Sequence, residues 1–297
     1  MILNHKKISL KRTIVSVFML LIVACVFFAC SPGRLANKPT WGDLQTGLIL
    51  KYQLPQDRVL NYRNSRDLVR TVKVAGQSMD TKLNYDSSYS IKGTGMDDQN
   101  NLLIQVTIND INCSVGTIKP DNSGLKGKSF GAIHSTNGKQ LKVTGTEDLP
   151  KIVFMPGADM DIKDLFLDIM PVLPDTPVKT GESWITPMDE IVKMDQLTAT
   201  YKGKATSILE GIETIHGMEC VKIKTQSKSA TEASGTLMGQ ALNYKGDITS
   251  TSTWYFAYKE GMLVKFTKNG DEDLKINSGA MEIPRTTKFK IETELVL

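Results

Sequence analysis

The sequence predicts a mainly β protein, built on one or more large curved antiparallel sheets, half-barrel or sandwich-like, with one short helix near residues 160–170. Two observations predict the sheets: apolar and polar residues alternate over long stretches, and turn dipeptides separate these stretches. A third observation, a single stretch of apolar residues at helical spacing, predicts the helix.

The chain begins with a basic segment followed by an apolar one. Four basic residues lie within the first twelve positions, and the run 13–29 carries no charge. This order predicts a lipoprotein signal peptide over residues 1–29. An uncleaved transmembrane anchor is the alternative, because the apolar run is at the lower limit of what can span a bilayer. In either case the chain beyond residue 30 faces the outside of the cytoplasm.

Two cysteines at the end of this run qualify for lipidation. The site resembles a lipoprotein box, in which a cysteine after a small residue becomes acylated. Cys25 follows residues 22–24, Ile-Val-Ala, which fit that box well, whereas cutting at Cys30 leaves a full apolar region and a polar start at Ser31. We predict lipidation at Cys30, with Cys25 as the alternative. The lipid would anchor the protein in the cell envelope, and Ser31 favours the periplasmic side of the outer membrane in a two-membrane cell.

The remaining chain is electrically neutral. The formal net charge of +4 comes entirely from the four basic residues of the signal segment. A neutral domain without a basic stripe is not expected to bind nucleic acid. Polar residues, proline and glycine dominate 30–46, which predicts a flexible tether, and 47–297 is long enough for a single β-rich domain with a sizeable core.

The front half of this domain, about 47–155, shows strand alternation with one change of parity. Apolar residues are even-numbered from Leu102 to Ile108 but odd-numbered from Ile111 to Val115. An added residue near Asn109-Asp110, as in a β-bulge, would keep both sets on one face.

One segment breaks the β pattern between the two halves. Five apolar residues fall at helical spacing behind two aspartates that suit a helix N-terminus, and Pro171 ends the pattern. The five residues are Ile162, Leu165, Phe166, Ile169 and Leu173.

The back half, about 183–297, ends in a clear half-buried strand, 289–297. Turns are expected at Glu260-Gly261 and Asn269-Gly270, and a solvated hairpin tip at 271–273. The stretch 227–246, rich in Ala, Ser, Thr and Gly, is expected to be a long mobile loop.

The sequence contains few candidate catalytic or metal-binding residues. His134 and His216 stand far apart without ligand partners, so no metal site and no catalytic residue is predicted. No motif for phosphate, nucleotide or acyl-transfer chemistry is found, and we expect no cofactor and no enzymatic activity. Trp184 and Trp254 suit core packing or the wall of an apolar cavity.

Cys113 and Cys220 remain once the lipidated cysteine is set aside. In an oxidising compartment these two could form a disulfide. The alternative is a pair of buried thiols in strands, which is common for cysteine.

Three stretches resemble an uncharacterised bacterial envelope lipoprotein family. They are Val172-Leu173-Pro174-Asp175-Thr176-Pro177-Val178-Lys179-Thr180-Gly181-Glu182-Ser183-Trp184, the stretch 127–145 and the stretch 201–225. The resemblance implies a strongly curved antiparallel sheet in the envelope, analogous in fold to the half-barrels of lipoprotein carriers. It implies no activity.

These observations lead to two functional hypotheses. The first is a non-enzymatic module with an apolar groove for a hydrophobic or lipid-like small molecule, supported by the lipid anchor and by methionines suited to adaptable apolar sites. The alternative is a structural or interaction module, an accessory subunit that docks on an envelope protein complex.

Overall fold

The computed structural model describes residues 41–153, 159–166, 169–194, 197–237, 240–278 and 281–297. The predicted signal peptide, both candidate lipidation sites, Cys25 and Cys30, and most of the predicted tether lie outside these residues. Residues 41–297 form one compact unit with its own core. The first hairpin of this unit uses 42–48, so the last residues of the predicted tether, 41–46, belong to folded structure.

A single curved, unclosed antiparallel sheet of eleven strands dominates the fold, which confirms the mainly β prediction. The strands are β3 Val59–Val74, β4 Gln77–Met96, β5 Leu102–Val115, β6 Ser129–His134, β7 Gln140–Thr144, β10 Ser183–Met194, β11 Leu197–Ile215, β12 Met218–Leu237, β13 Gln240–Ala257, β14 Met262–Ser278 and β15 Met281–Val296.

The strand order is β10-β11-β12-β13-β14-β15-β3-β4-β5-β6-β7. The last strand, β15, pairs with the first long strand, β3, and thereby joins the two predicted halves in one sheet. Of the two predicted architectures, the half-barrel is therefore the one found. Short elements complete the described residues: β1 Gly42–Asp43, β2 Gly47–Leu48, a 3-10 turn Ser123–Leu125, β8 Ile152–Val153, β9 Asp159–Met160 and helix α1 Ile162–Leu165.

The predicted change of parity in β5 is a bulge. Asp110 pairs with Ser88 and Ile108 pairs with Tyr89, so Asn109 is the added residue. Both apolar sets of β5 are consequently buried on the same side of the sheet, which we call the inner face.

Two predicted irregular regions are strands. The stretch 227–246, expected to be a loop, lies in the β12–β13 hairpin and pairs along most of its length. Asn269-Gly270, expected to be a turn, and the predicted hairpin tip 271–273 lie inside β14. These predictions were wrong because pairing with long neighbours on both sides outweighs weak local strand propensity. Gly270 is needed in its strand, since a Cβ there would meet the ring of Phe289 and the carbonyl oxygen of Thr249.

The inner face is covered at one end of the sheet. The covering segments, around Leu50, Ile152 and Ile169, contribute buried residues to the core on this face. Phe166 inserts between Tyr89 and Phe130, with ring centroids 5.1 and 5.5 Å away. On this side Arg66 donates to the carbonyl oxygen of Leu165 over 2.8 Å. The five apolar residues of the predicted helix are all buried here, although the helix itself is only the single turn α1: Ile162, Leu165, Phe166, Ile169 and Leu173.

Cys113 and Cys220 are both free thiols and both are buried. They lie on β5 and β12, six positions apart in the strand order of the sheet. The possible disulfide is therefore not formed, and the alternative of two buried thiols describes the structure. Within the described residues, no helix has the length and apolar character needed to cross a membrane.

Candidate functional site on the inner face

A groove opens on the inner face where strands β10–β14 continue beyond the covering segments. Its volume is about 180 Å³, and Pro171 and Val172 form one wall. The groove has three parts: a floor of small residues, an aromatic end and a flank on the edge strand β10. The lining on the strands comprises Thr186, Pro187, Met188, Glu190, Ala205, Ser207, Thr225, Ser227, Ser250, Ser252, Trp254, Phe266 and Lys268.

Hydroxyl groups cover most of the floor because serine and threonine recur at every second position on β12, with Ser207 on β11 and Ser250 and Ser252 on β13 beside them. Cross-strand pairing places Ser207 against Thr225, and Ser227 against Ser250. Their hydroxyl oxygens lie 2.8 and 2.6 Å apart, so these groups hydrogen-bond to one another. A mutually bonded hydroxyl can be covered by a ligand with little loss of hydrogen bonding. The floor is therefore polar, but removing water from it costs few hydrogen bonds.

The aromatic end of the groove is formed by Trp254 and Phe266, which face each other on neighbouring strands. Trp254 is 3% exposed, and its indole N–H donates to the hydroxyl of Thr225 over 2.9 Å. Trp184 on the edge strand packs edge-on against Trp254 with centroids 6.4 Å apart. The two predicted core tryptophans thus meet beside the groove, and Trp254 belongs to both the core and the groove wall.

The ionisable residues of the lining are Glu190 and Lys268. Both take part in further interactions of their own. The rest of the lining is apolar or carries hydroxyl groups. What it offers a ligand is shape, apolar contact and hydroxyl groups.

A second, smaller cavity lies where Arg66 enters the core. Its volume is about 20 Å³, enough for one water molecule. Arg66 donates to Asn64 over 3.3 Å and lies over the ring of Tyr85, 5.8 Å from its centroid. Together with its hydrogen bond to the carbonyl oxygen of Leu165, these contacts let Arg66 link the covering segment to the sheet.

Both histidines considered in the sequence lie away from the groove. His134 is fully buried, its Nδ1 is 3.0 Å from the carbonyl oxygen of Gly138, and burial lowers its pKa. His216 occupies a turn with φ of 50° and lies 3.3 Å from a carboxylate oxygen of Glu294. Among the described residues, no group of three or more His, Cys, Asp or Glu is placed to hold a metal ion.

The hydroxyl floor was not predicted from the sequence. The missed signal was parity: Ser227, Ser229 and Thr231 occupy odd positions together with Ala233, and all four are placed on one face by the register of β12. Small residues at every second position indicate a strand that leaves space on its inner face.

Comparisons with known proteins give no family. No protein-family model matches the chain, and no curated protein matches it. Similar solved structures include an outer membrane channel from Pseudomonas putida F1, with 6% identity, a TM-score of 0.29 and coverage of 82% of this chain and 97% of that one.

Two further solved structures are similar at the same low level. A putative exported protein with a YmcC-like fold from Bacteroides fragilis NCTC 9343 has 8% identity, a TM-score of 0.20 and coverage of 81% and 97%. A DUF1329 family protein from Desulfovibrio piger ATCC 29098 has 10% identity, a TM-score of 0.15 and coverage of 76% and 83%. With TM-scores this low, these likenesses carry no argument about the fold or function of this chain.

Proposed function

We propose that this chain is a lipid-anchored envelope protein whose inner face binds one amphiphilic, lipid-like molecule. The observation that carries the proposal is the groove itself: an unclosed sheet leaves a space of about 180 Å³ beside its own core, with an aromatic end and a hydroxyl floor. The volume is below that of ordinary ligand pockets, roughly 300–1,000 Å³. A ligand that fills it therefore extends beyond it along the inner face, where Leu68, Ile248 and Phe289 are half-buried.

The two parts of the groove suit the two parts of an amphiphile. Trp254, Phe266 and Met188 offer apolar contact for an acyl chain, with Val172 as the opposite wall. Burying apolar surface there contributes about 25 cal/mol per Å². The bonded hydroxyl pairs next to this end can lie under a chain or bond its polar group.

A pair of neighbouring substitutions tests this proposal. Ala205 points into the groove, whereas Thr206 is exposed on the opposite face of the same strand. In native mass spectrometry of residues 41–297 expressed with an envelope signal, we expect a co-purifying apolar molecule for the wild type and for Thr206→Phe. Ala205→Phe fills the groove and should give the bare protein mass. A bare mass for all three proteins, or a retained ligand in Ala205→Phe, would contradict the proposal.

The location rests on the N-terminal sequence. A basic segment, an apolar run and a cysteine in that order support lipidation at Cys30. Metabolic labelling with a palmitate analogue should be lost in Cys30→Ser and kept in Cys25→Ser. The reverse pattern would move the anchor to Cys25, and labelling of neither protein would remove the anchor from the proposal.

One observation favours the interaction module as a second candidate function. The edge strand β10 carries Ile185 and Ile191 on the outer face, each 62% exposed. Exposed apolar side chains on one face of an edge strand can pack against a partner protein. A single stoichiometric envelope protein recovered with the wild type and lost in Ile185→Lys would support this function.

A further inference from the structure

A cluster of charged and phenolic side chains lies on the inner face beyond the hydroxyl floor. Glu272 on β14, Thr287 on β15 and Arg70 on β3 stand in register across three neighbouring strands. Arg285 lies two residues before Thr287, on the same face. The cluster is separate from the groove lining but continues the same surface of the sheet.

Two hydrogen bonds within this cluster go to its single carboxylate, that of Glu272. Arg285 Nη2 lies 3.1 Å from Glu272 Oε2, and the Thr287 hydroxyl donates to the same oxygen over 2.8 Å. The ion pair is shielded, since the side chains of Arg285 and Glu272 are 14% and 17% exposed. Arg285 also lies over the ring of Tyr244, 5.4 Å from its centroid.

Arg70 has no ion pair of its own among the described residues, although Glu272 attracts it from nearby. The charged groups acting on it are Arg285, which repels it, and Glu272, which already pairs with Arg285. Burial and then Arg285 lower the pKa of Arg70. The Nε atoms of both arginines are buried without a hydrogen-bond partner among the described residues. Two guanidinium groups with one carboxylate leave a net charge of one, and buried charges in proteins are normally paired.

We propose that Arg70, with Arg285 beside it, binds an oxyanion, the carboxylate or phosphate group of the ligand. A guanidinium group presents parallel donors that match two oxygens of such a group. This inference rests on the proposed function, because it assigns the cluster to the head group of the same amphiphile and so makes that amphiphile anionic.

The spacing along the sheet sets the length of such a ligand. Glu272 lies six residues beyond Phe266 on β14, which at about 3.3 Å per residue is roughly 20 Å. Arg70 lies two strands farther across the sheet, which adds roughly 10 Å sideways at about 4.8 Å per strand. An amphiphile held at the aromatic end therefore needs a long extended chain, of more than about 20 Å, to place its head group at Arg70.

The test compares two ligands of equal chain length, octadecanoic acid and octadecanol, on residues 41–297. We expect the acid to bind roughly tenfold more tightly than the alcohol, as for a hydrogen bond to a charged group. Arg70→Gln should bring the two affinities within about twofold of each other, since no charge then distinguishes them. Arg63→Gln, on the exposed outer face of the same strand, should keep the preference for the acid.

A second variant separates an oxyanion site from a structural role. Glu272→Gln removes the competing carboxylate, so the acid should bind more tightly, whereas mere loss of structure would weaken binding of both ligands. Equal affinities for acid and alcohol in the wild type, or an unchanged preference in Arg70→Gln, would overturn the inference while leaving the groove intact. Binding of neither ligand would overturn the proposed function.

Inorganic phosphate tests the oxyanion site with a ligand that has no acyl chain. If phosphate raises the thermal midpoint of the wild type but not of Arg70→Gln, and neither amphiphile binds, the oxyanion site holds and its ligand is a free anion. If phosphate has no effect and the acid shows no preference, the site is excluded.

Discussion

The reactivity of two cysteines is set by their burial in the sheet. Cys113 and Cys220 are 5% and 0% exposed, and burial raises the pKa of each thiol to about 11. The thiolate is the reactive form, so both groups are inert at neutral pH. We expect no alkylation of native residues 41–297 at pH 8. Denaturation without a reductant should expose two reactive thiols per chain, and the finding of none would establish a disulfide.

The same shifts predict a dependence of stability on pH. An unfolded cysteine has a pKa of about 8.5, below the value in the folded protein. A group whose folded pKa is raised stabilises the fold fully below its unfolded pKa, and this contribution is lost as pH rises through the folded value. The free energy of unfolding from urea titrations should therefore fall between about pH 8.5 and pH 11. A flat profile over that window would contradict the burial of these thiols.

At the scale of elements, the edge strand β10 contains its own protection against pairing. Pro187 has no backbone N–H and lies within the twelve residues of this strand. Proline on an edge interrupts the ladder that a second sheet would need. Pro187→Val should therefore promote self-association in sedimentation velocity. Asp189→Val, exposed on the same face, adds an equal side chain without adding an N–H and should stay closer to the wild type. If both variants sediment like the wild type, the proline has no such role.

Elements with strong alternation could be predicted from the sequence, including the bulge at Asn109 in β5. The β12–β13 hairpin could not, because Ser, Thr, Ala and Gly have weak strand propensity and the same composition is typical of loops. The turn predicted at Asn269-Gly270 was wrong for a related reason. The pair is a strong hairpin signal locally, yet in β14 the glycine serves the close approach of Phe289. Whether such a segment forms a strand or a turn depends on tertiary packing, which the local sequence pattern does not reveal.

At the scale of the molecule, one sheet performs two tasks along the same inner face. One end is sealed by the covering segments and supplies the main core, with Tyr62 and Tyr89 stacked 5.6 Å apart. A smaller apolar cluster around Tyr244 and Leu274 lies at the other end. Beyond them the face remains lined by small hydroxyl residues and then by the cluster around Arg70. The core could be expected from apolar alternation, whereas the groove depends on the register of five strands and on where the chain after Pro171 lies. The site was therefore the less predictable part.

The central claim is that an acyl chain lies in the groove against Trp254, and quenching of tryptophan fluorescence tests it most directly. A fatty acid brominated along its chain quenches an indole that it touches. We predict saturable quenching in the wild type and in Trp41→Phe, loss of most of it in Trp254→Phe, and its absence in Ala205→Phe. No saturable quenching in the wild type, or equal quenching in Ala205→Phe, would contradict the account.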